Sequence, residues 1–305
     1  MITAQALAAM PAAERERVIR GLSPADVARL KYAWRFWARA SQLAPDGDAW
    51  IVWLILAGRA MGKTRAGAEW VIERVNAGSR HLALIGRTIR DVRETMIRGE
   101  SGILALSPPW NMPVYVPSLG RLRWPNGAEA LTFTAEKPDQ LRGPQPDTVW
   151  ADELAAWNYP AMWTQVTFAM RSIESGLKPR ACVTTTPRPT KLVRELMADT
   201  STVVTRGSTF ENAANLDPAF IAKLKRQYEG TRIGRQELYG AVLEDAPGAL
   251  WKRDRIHSLR VAEAPELRAI VVAVDPAVTS GEFSNETGII VAGVGVDGHG
   301  YVLED

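Results

Sequence analysis

Apolar residues along this chain come in two rhythms. Unbroken runs at residues 50–56, 81–86 and 148–151 show little polar alternation, the pattern of strands buried on both faces. A β-branched run at 181–186 stops at Pro187 and reads as a further strand. Between the runs, apolar residues recur at helical spacing: Ala66, Ala68, Val71, Ile72 and Val75 after the first, and Val92, Met96 and Ile97 after the second, in a helix opened by Thr88. Residues 122–133 read as a hairpin turning at Asn126-Gly127. Alternation of strand and helix from 50 to 200 predicts a mostly parallel sheet with helices on both faces. Residues 1–44 read as polar amphipathic helices, with Ser23, Pro24 and Asp26 marking one start. Tyr32, Trp34, Phe36 and Trp37, interleaved with Arg35, fit an amphipathic helix packed on the core better than a base-stacking surface.

Beyond 204 the pattern weakens. Residues 205–250 are more polar and carry one helix with Phe220, Leu224 and Tyr228, so they read as a lid or linker ending at Pro247-Gly248. A second domain then begins: a strand at 268–275 ending in Asp275, a hairpin partner at 287–293, and a strand near Tyr301, too little for a complete core. The expected division is a helical adaptor at 1–48, a core at 49–204, the lid or linker at 205–250 and the second domain at 251–305.

The first strand runs into Ala57-Gly58-Arg59-Ala60-Met61-Gly62-Lys63-Thr64 and then a helix, the layout of a phosphate-binding loop. Backbone N–H groups would curl round a phosphate, helped by the helix N-terminus. Lys63 would reach the β and γ phosphates of ATP and Thr64 would ligate Mg²⁺, so the loop predicts ATP binding and hydrolysis by a P-loop NTPase. Ala57 and Ala60 stand where such loops often have Gly, and a positive φ at Ala60 would cost about 1 kcal/mol. The strand at 148–151 ends in Asp152 and Glu153: the first would hold the cation, the second would polarise the attacking water. Thr184, Thr185 and Thr186 have either a γ-phosphate-sensing role or only the ordinary strand preference of threonine. Arg59, within the loop, and Arg142 are candidate arginine fingers, with surface ion pairs as the competing explanation among 37 Lys and Arg.

Composition narrows this picture only slightly. The net charge of +3 neither requires nor excludes a nucleic-acid partner. The one cysteine, Cys182, falls in an expected buried strand, which permits no disulfide within the chain and fits a reducing cytoplasm. No Cys/His cluster suggests zinc, and no apolar run approaches the roughly 20 residues of a membrane span.

The loop with Arg65-Ala66-Gly67-Ala68-Glu69-Trp70 after it, residues 150–157, Thr184-Thr185-Thr186-Pro187, Gly248-Ala249-Leu250-Trp251 and Val274-Asp275-Pro276 together resemble the large terminase subunit of tailed bacteriophages and prophages. The resemblance implies a RecA-like P-loop ATPase joined to an RNase H-like nuclease, here incomplete, so no nuclease activity is expected from these residues. It implies that Gly58, Arg59, Ala60, Met61, Gly62, Lys63 and Thr64 hold ATP and that Asp152 serves its Mg²⁺. Glu153 would be catalytic, and Thr184 to Thr186 would couple hydrolysis to movement. It further implies that Arg142 acts on a neighbouring subunit, Gln42 contacts adenine and Asp275 is the first nuclease ligand for Mg²⁺ or Mn²⁺. The implied partners are double-stranded DNA, a portal protein, a small terminase subunit and further copies in a ring, with no membrane. The implied location is the host bacterial cytoplasm, docked transiently at the procapsid portal. A superfamily-2 helicase-like translocase and a DNA- or partner-binding remnant that hydrolyses nothing are the alternatives.

Overall fold

The computed structural model describes residues 3–243, 253–276 and 287–304. The chain forms two compact units, Met1–Leu243 and Glu244–Asp305. In the first unit β1 (Val52–Ala57), β2 (His81–Gly86), β3 (Val114–Val116), β4 (Arg121–Arg123), β5 (Glu129–Thr134), β6 (Thr148–Asp152), β7 (Arg180–Thr185) and β8 (Thr202–Gly207) make one sheet in the order β3-β4-β5-β2-β6-β7-β1-β8. The six strands from β5 to β8 pair in parallel, and β3 and β4 add an antiparallel ribbon at one edge. The expected hairpin is β4 and β5, with Gly127 in the left-handed region at its turn.

The period of two divides each unbroken run between two cores. Trp53, Ile55 and Ala57 join Trp70, Val71, Leu84 and Trp150 on one face. Val52, Leu54 and Leu56 join Ala83, Val149, Val183, Val166 and Leu196 on the other. Both layers are needed because a parallel sheet has two apolar faces to cover. The helix Lys63–Asn76 covers the first face. Its closest approach is at Gly67, where an added Cβ would lie 2.3 Å from the Trp150 ring.

Several expectations change in detail. The aromatic segment is a single helical turn, Trp34–Trp37, with Trp34 and Phe36 buried and Trp37 exposed. Thr88 does cap a helix, but after Ile89–Asp91 the chain widens into a π-helical turn, Val92–Ile97, which buries Val92, Met96 and Ile97 together. A boundary at 204 would cut β8, which pairs with β1 from Val52↔Thr202 to Ala57↔Gly207. That strand was missed because it is an edge, only partly buried, with no apolar run. Residues 208–243 stay with the first unit: a 3-10 segment Thr209–Asn215, the expected helix at Pro218–Tyr228, and a helix Arg232–Glu237.

The second unit contains a helix, Arg253–Ser258, and an antiparallel sheet of β9 (Leu267–Asp275), β10 (Gly288–Gly295) and β11 (Gly300–Glu304) in the order β11-β10-β9. This matches the expected hairpin, and Asp275 ends β9 opposite Gly288. Pro247-Gly248, the residues 248–251 and the boundary at 250 lie outside the described residues.

Alanine at position 67 sets two effects against each other. Inside a helix Gly→Ala ordinarily gains about 1 kcal/mol, whereas overpacking against a fixed ring costs about 1–3 kcal/mol and occasionally more. With the ring at 2.3 Å the second effect wins. Gly67→Ala should therefore lower stability by about 1–2 kcal/mol, seen as an earlier urea midpoint at unchanged slope.

Candidate active site

Sheet order decides the site. β7 lies between β6 and β1, so the ends of all three strands are neighbours: Thr184 is level with Asp152 on one side and with Ile55 on the other. The loop after β1, the carboxylates after β6 and the threonines after β7 therefore leave the sheet side by side. Sites in such folds lie beyond the carboxyl ends of the strands.

The loop is gripped from outside by its carbonyl groups. Thr209 Oγ1 donates to Arg59 O at 2.6 Å and Asn212 Nδ2 to Ala60 O at 2.7 Å. The Arg39 guanidinium donates to Met61 O, and Gln42 Nε2 donates to Gly62 O at 3.3 Å. In a trans peptide the carbonyl and the following N–H point opposite ways. Tying back four successive carbonyls thus turns the N–H groups of Ala60, Met61, Gly62 and Lys63 to the other side. They join the unpaired N–H groups at the start of the Lys63–Asn76 helix, a concave anion site. Gly62, at φ 97°, has a conformation that suits glycine. Ala60 adopts φ 57° without being glycine, so the strain foreseen there is present.

Lys63 sits just inside the helix and is 8% exposed. Its Nζ donates to Ala57 O at 3.0 Å, Gly58 O at 3.2 Å and Thr186 Oγ1 at 3.3 Å, and lies 3.9 Å from Glu153 Oε1. Burial pulls its pKa down, and the Glu153 and Asp152 carboxylates push the other way. Thr64 lines the same cleft one residue on.

The two carboxylates have different surroundings. Asp152 is buried, and burial pushes its pKa up to about 6 against the Thr184 hydroxyl, which donates to Oδ1 at 2.5 Å. Trp150 Nε1 in turn donates to Thr184 Oγ1 at 3.0 Å. Glu153 follows at φ 49°; it and Ala60 have positive φ without being glycine, alone in this among the described residues. Such strain is kept where surrounding contacts over-determine it. Here Thr186 supplies them: its N–H reaches Glu153 Oε2 at 3.2 Å and its hydroxyl reaches Oε1 at 3.3 Å. Thr185 Oγ1 accepts from Ala155 N–H at 3.0 Å, so each of the three threonines has a separate contact.

Lys63, Thr64, Glu153 and Thr186 line a cleft of about 870 Å³, together with Arg59, Arg65, Arg188, Glu94 and Glu100. Arg59 is paired with Glu237 at 2.8 Å and Arg65 with Glu69 at 3.4 Å. Met61 is buried beneath the loop, against Gly207. Arg142 is elsewhere: 68% exposed, 2.9 Å from Asp139, beside a separate hollow of about 390 Å³ with Gln165 and Phe168. Asp275 belongs to the second unit. Among the described residues no cluster of three or more His, Cys, Asp and Glu side chains is placed to hold a metal. A magnesium ion needs less, since it commonly takes one or two carboxylates and completes its shell with phosphate and water oxygens. Thr64, which lines the cleft, and Asp152, buried one residue before Glu153, fit that requirement as hard oxygen donors.

Arg39, Thr209, Asn212 and Glu237 were not foreseen. Arg39 stands three residues before Gln42, and its backbone N–H donates to the Gln42 side chain. The others lie some 150 residues or more beyond the loop and follow no motif.

The family model described as "Terminase large subunit, T4likevirus-type, N-terminal" matches residues 54–258. This chain belongs to the terminase large subunit family. Solved structures agree on the fold. The large terminase ATPase domain of Thermus phage P74-26 is 16% identical, with a TM-score of 0.50, over 73% of this terminase chain and 100% of that one. The large terminase of another, thermophilic bacteriophage is 15% identical, with a TM-score of 0.55, over 90% of this chain and 66% of that one. The same thermophilic phage protein in complex with ADP gives 14%, a TM-score of 0.52 and coverage of 91% and 68%. The chain thus spans about two thirds of that terminase chain. A search of curated proteins finds no match. In this terminase chain the eight-stranded, mainly parallel sheet is that of the ATPase domains, and the helicase reading gives way to the family.

The buried Asp152 carries a pH signature. Its folded pKa of about 6 exceeds the ordinary 3.8. Between these values the folded chain holds a proton that the unfolded chain has lost, so stability from this group falls as pH rises and is fully lost above 6. Asp152→Asn should raise the melting temperature in EDTA at pH 7.5, by on the order of 1–3 kcal/mol of stability, and change it little at pH 4. An equal effect at both pH values would contradict this.

Proposed function

We propose that this chain binds ATP with Mg²⁺, hydrolyses it, and uses the cycle to drive double-stranded DNA into a procapsid. The observation that carries this reading is the meeting of Lys63, Thr64, Glu153 and Thr186 around one cleft at the ends of three adjacent strands, with the buried Asp152 held by Thr184 at those same strand ends. The loop N–H groups and Lys63 would bind the β and γ phosphates. Thr64 and Asp152 would hold Mg²⁺, which when bound offsets charge on the phosphate oxygens. Glu153 would align the attacking water and take its proton. Thr186, which bonds both Lys63 and Glu153, would report the loss of the γ-phosphate, with Thr184 and Thr185 carrying the change into β7. The position of Gln42 beside the loop suits contact with the adenine end of the nucleotide. Arg59, once free of Glu237, is the finger available in cis. Arg142, outside its own cleft and exposed, suits delivery to a neighbouring copy. Ala60 does not bar the reading, since the loop takes its shape despite about 1 kcal/mol of strain.

The same reading includes assembly of copies in a ring on a portal protein, a small terminase subunit as partner, and work in the host bacterial cytoplasm. It makes residues 251–305 the start of an RNase H-like nuclease, with Asp275 as the first of several ligands for Mg²⁺ or Mn²⁺. DNA contacts made through phosphates would be weakened by salt.

Steady-state phosphate release tests the reading. Lys63→Ala should lower kcat/KM by about 100-fold or more. Glu153→Gln should keep nucleotide affinity and lose about 100-fold in kcat. A wild-type rate no higher than that of Lys63→Ala would overturn it. Mixing inactive Arg142→Ala and Lys63→Ala chains should restore part of the rate, because some interfaces then pair an intact loop with an intact Arg142. No recovery at any ratio would count against delivery to a neighbour.

A further inference from the structure

The geometry points to Asn212 as the residue that holds the phosphate-binding loop in its working shape, a positioning role this chain needs because it has Ala60 where such loops often have Gly. The inference rests on the nucleotide reading above and concerns the same cleft. Ala60 at φ 57° occupies a conformation that L side chains disfavour, and left alone the peptides on either side of it would rotate together to relieve it. Rotation of the one that follows would swing Ala60 O toward the phosphate site and the Met61 N–H away from it. The Asn212 amide prevents this by donating to Ala60 O at 2.7 Å.

The amide is itself oriented. Its Oδ1 accepts from Arg39 at 2.9 Å and from Asn215 Nδ2 at 3.0 Å, which leaves the NH₂ group to face the loop. The Arg39 guanidinium that binds Asn212 also binds Met61 O, so one network fixes two consecutive peptides. Thr209, three residues before Asn212 in the same 3-10 segment, fixes the peptide preceding Ala60 through Arg59 O. The 3-10 segment after β8 thus acts as an external splint for the loop after β1. Glycine at position 60 would need less of this support.

The test is a cycle of four versions of this chain: wild type, Asn212→Ala, Ala60→Gly and the double variant. Affinity is read by titrating each chain with ribose-labelled fluorescent ATP and Mg²⁺. Asn212→Ala should weaken binding about tenfold with Ala60 present. With Ala60→Gly the same change should cost no more than about twofold. Asn212→Asp keeps the acceptor used by Arg39 and Asn215, loses the donor to Ala60 and adds a negative charge beside the cleft, so it should weaken binding at least as much as Asn212→Ala. Amide hydrogen exchange in the nucleotide-free chain gives a second readout. Asn212→Ala should speed exchange at Arg59, the loop amide bonded to Glu237 O, and leave β1 protected. Equal losses of affinity in both backgrounds, no loss in either, or unchanged exchange at Arg59 would overturn the assignment. A wild-type chain that binds no labelled ATP would instead sink the nucleotide reading, and the exchange data would still decide whether Asn212 holds the loop.

Discussion

Lys63 keeps its ammonium group at the end of β1, where removal from water disfavours the charge, and the surrounding groups are the ones that offset this cost. Two backbone carbonyls, the Thr186 hydroxyl and the Glu153 carboxylate lie within reach of Nζ. An ammonium left without such partners would lose its proton or its place in the interior. A triphosphate in the cleft would add negative charge where burial has already stripped water from the cation, and there the attraction is much stronger than in bulk solvent. The same burial raises the Asp152 pKa, so burial works against both charges.

Backbone strain follows the same plan. Ala60 and Glu153 stand on two different strand-to-loop crossings, and each is held by hydrogen bonds from a third segment. For Ala60 the holder is the 3-10 segment after β8, and for Glu153 it is the end of β7. Both holders reach the site because of sheet order: β8 and β7 are the two neighbours of β1. Rigid strands thus carry short, strained loops whose shape is imposed from the side. The close packing of the Lys63–Asn76 helix on Trp150, permitted by Gly67, ties that arrangement into the first core. Trp150 then donates to Thr184, which donates to Asp152, so packing and chemistry share one side chain.

Much of this was legible in the sequence. The unbroken apolar runs announced buried strands, and Asn126-Gly127 announced the hairpin, since local sterics and the two-residue period act over a few residues. Lys63, Thr64, Asp152, Glu153 and Thr186 could be singled out as candidates because each follows, directly or through one short loop, the end of an apolar or β-branched run, and strand ends are where a parallel sheet exposes backbone and side chains to ligand. β8 escaped notice because an edge strand needs no apolar run, and the π-helical turn escaped because Val92, Met96 and Ile97 also fit a helical spacing. Arg39, Thr209 and Asn212 left no local trace: a side chain that grips a distant carbonyl looks like any other polar residue.

By itself the amino-acid sequence determined which segments are strands and helices, that the loop after the first strand suits a phosphate, and that an acidic pair and a hydroxyl-bearing run stand at strand ends. Those properties depend on neighbours within one turn or one pleat, so they can be read along the chain. Tertiary structure alone decided that β7 enters between β6 and β1, that the segment after β8 folds back onto the loop after β1, and that Arg142 lies outside its own cleft. Strand order is chosen by the summed burial of both sheet faces and by hydrogen bonds between segments far apart in sequence, and no single segment carries that sum.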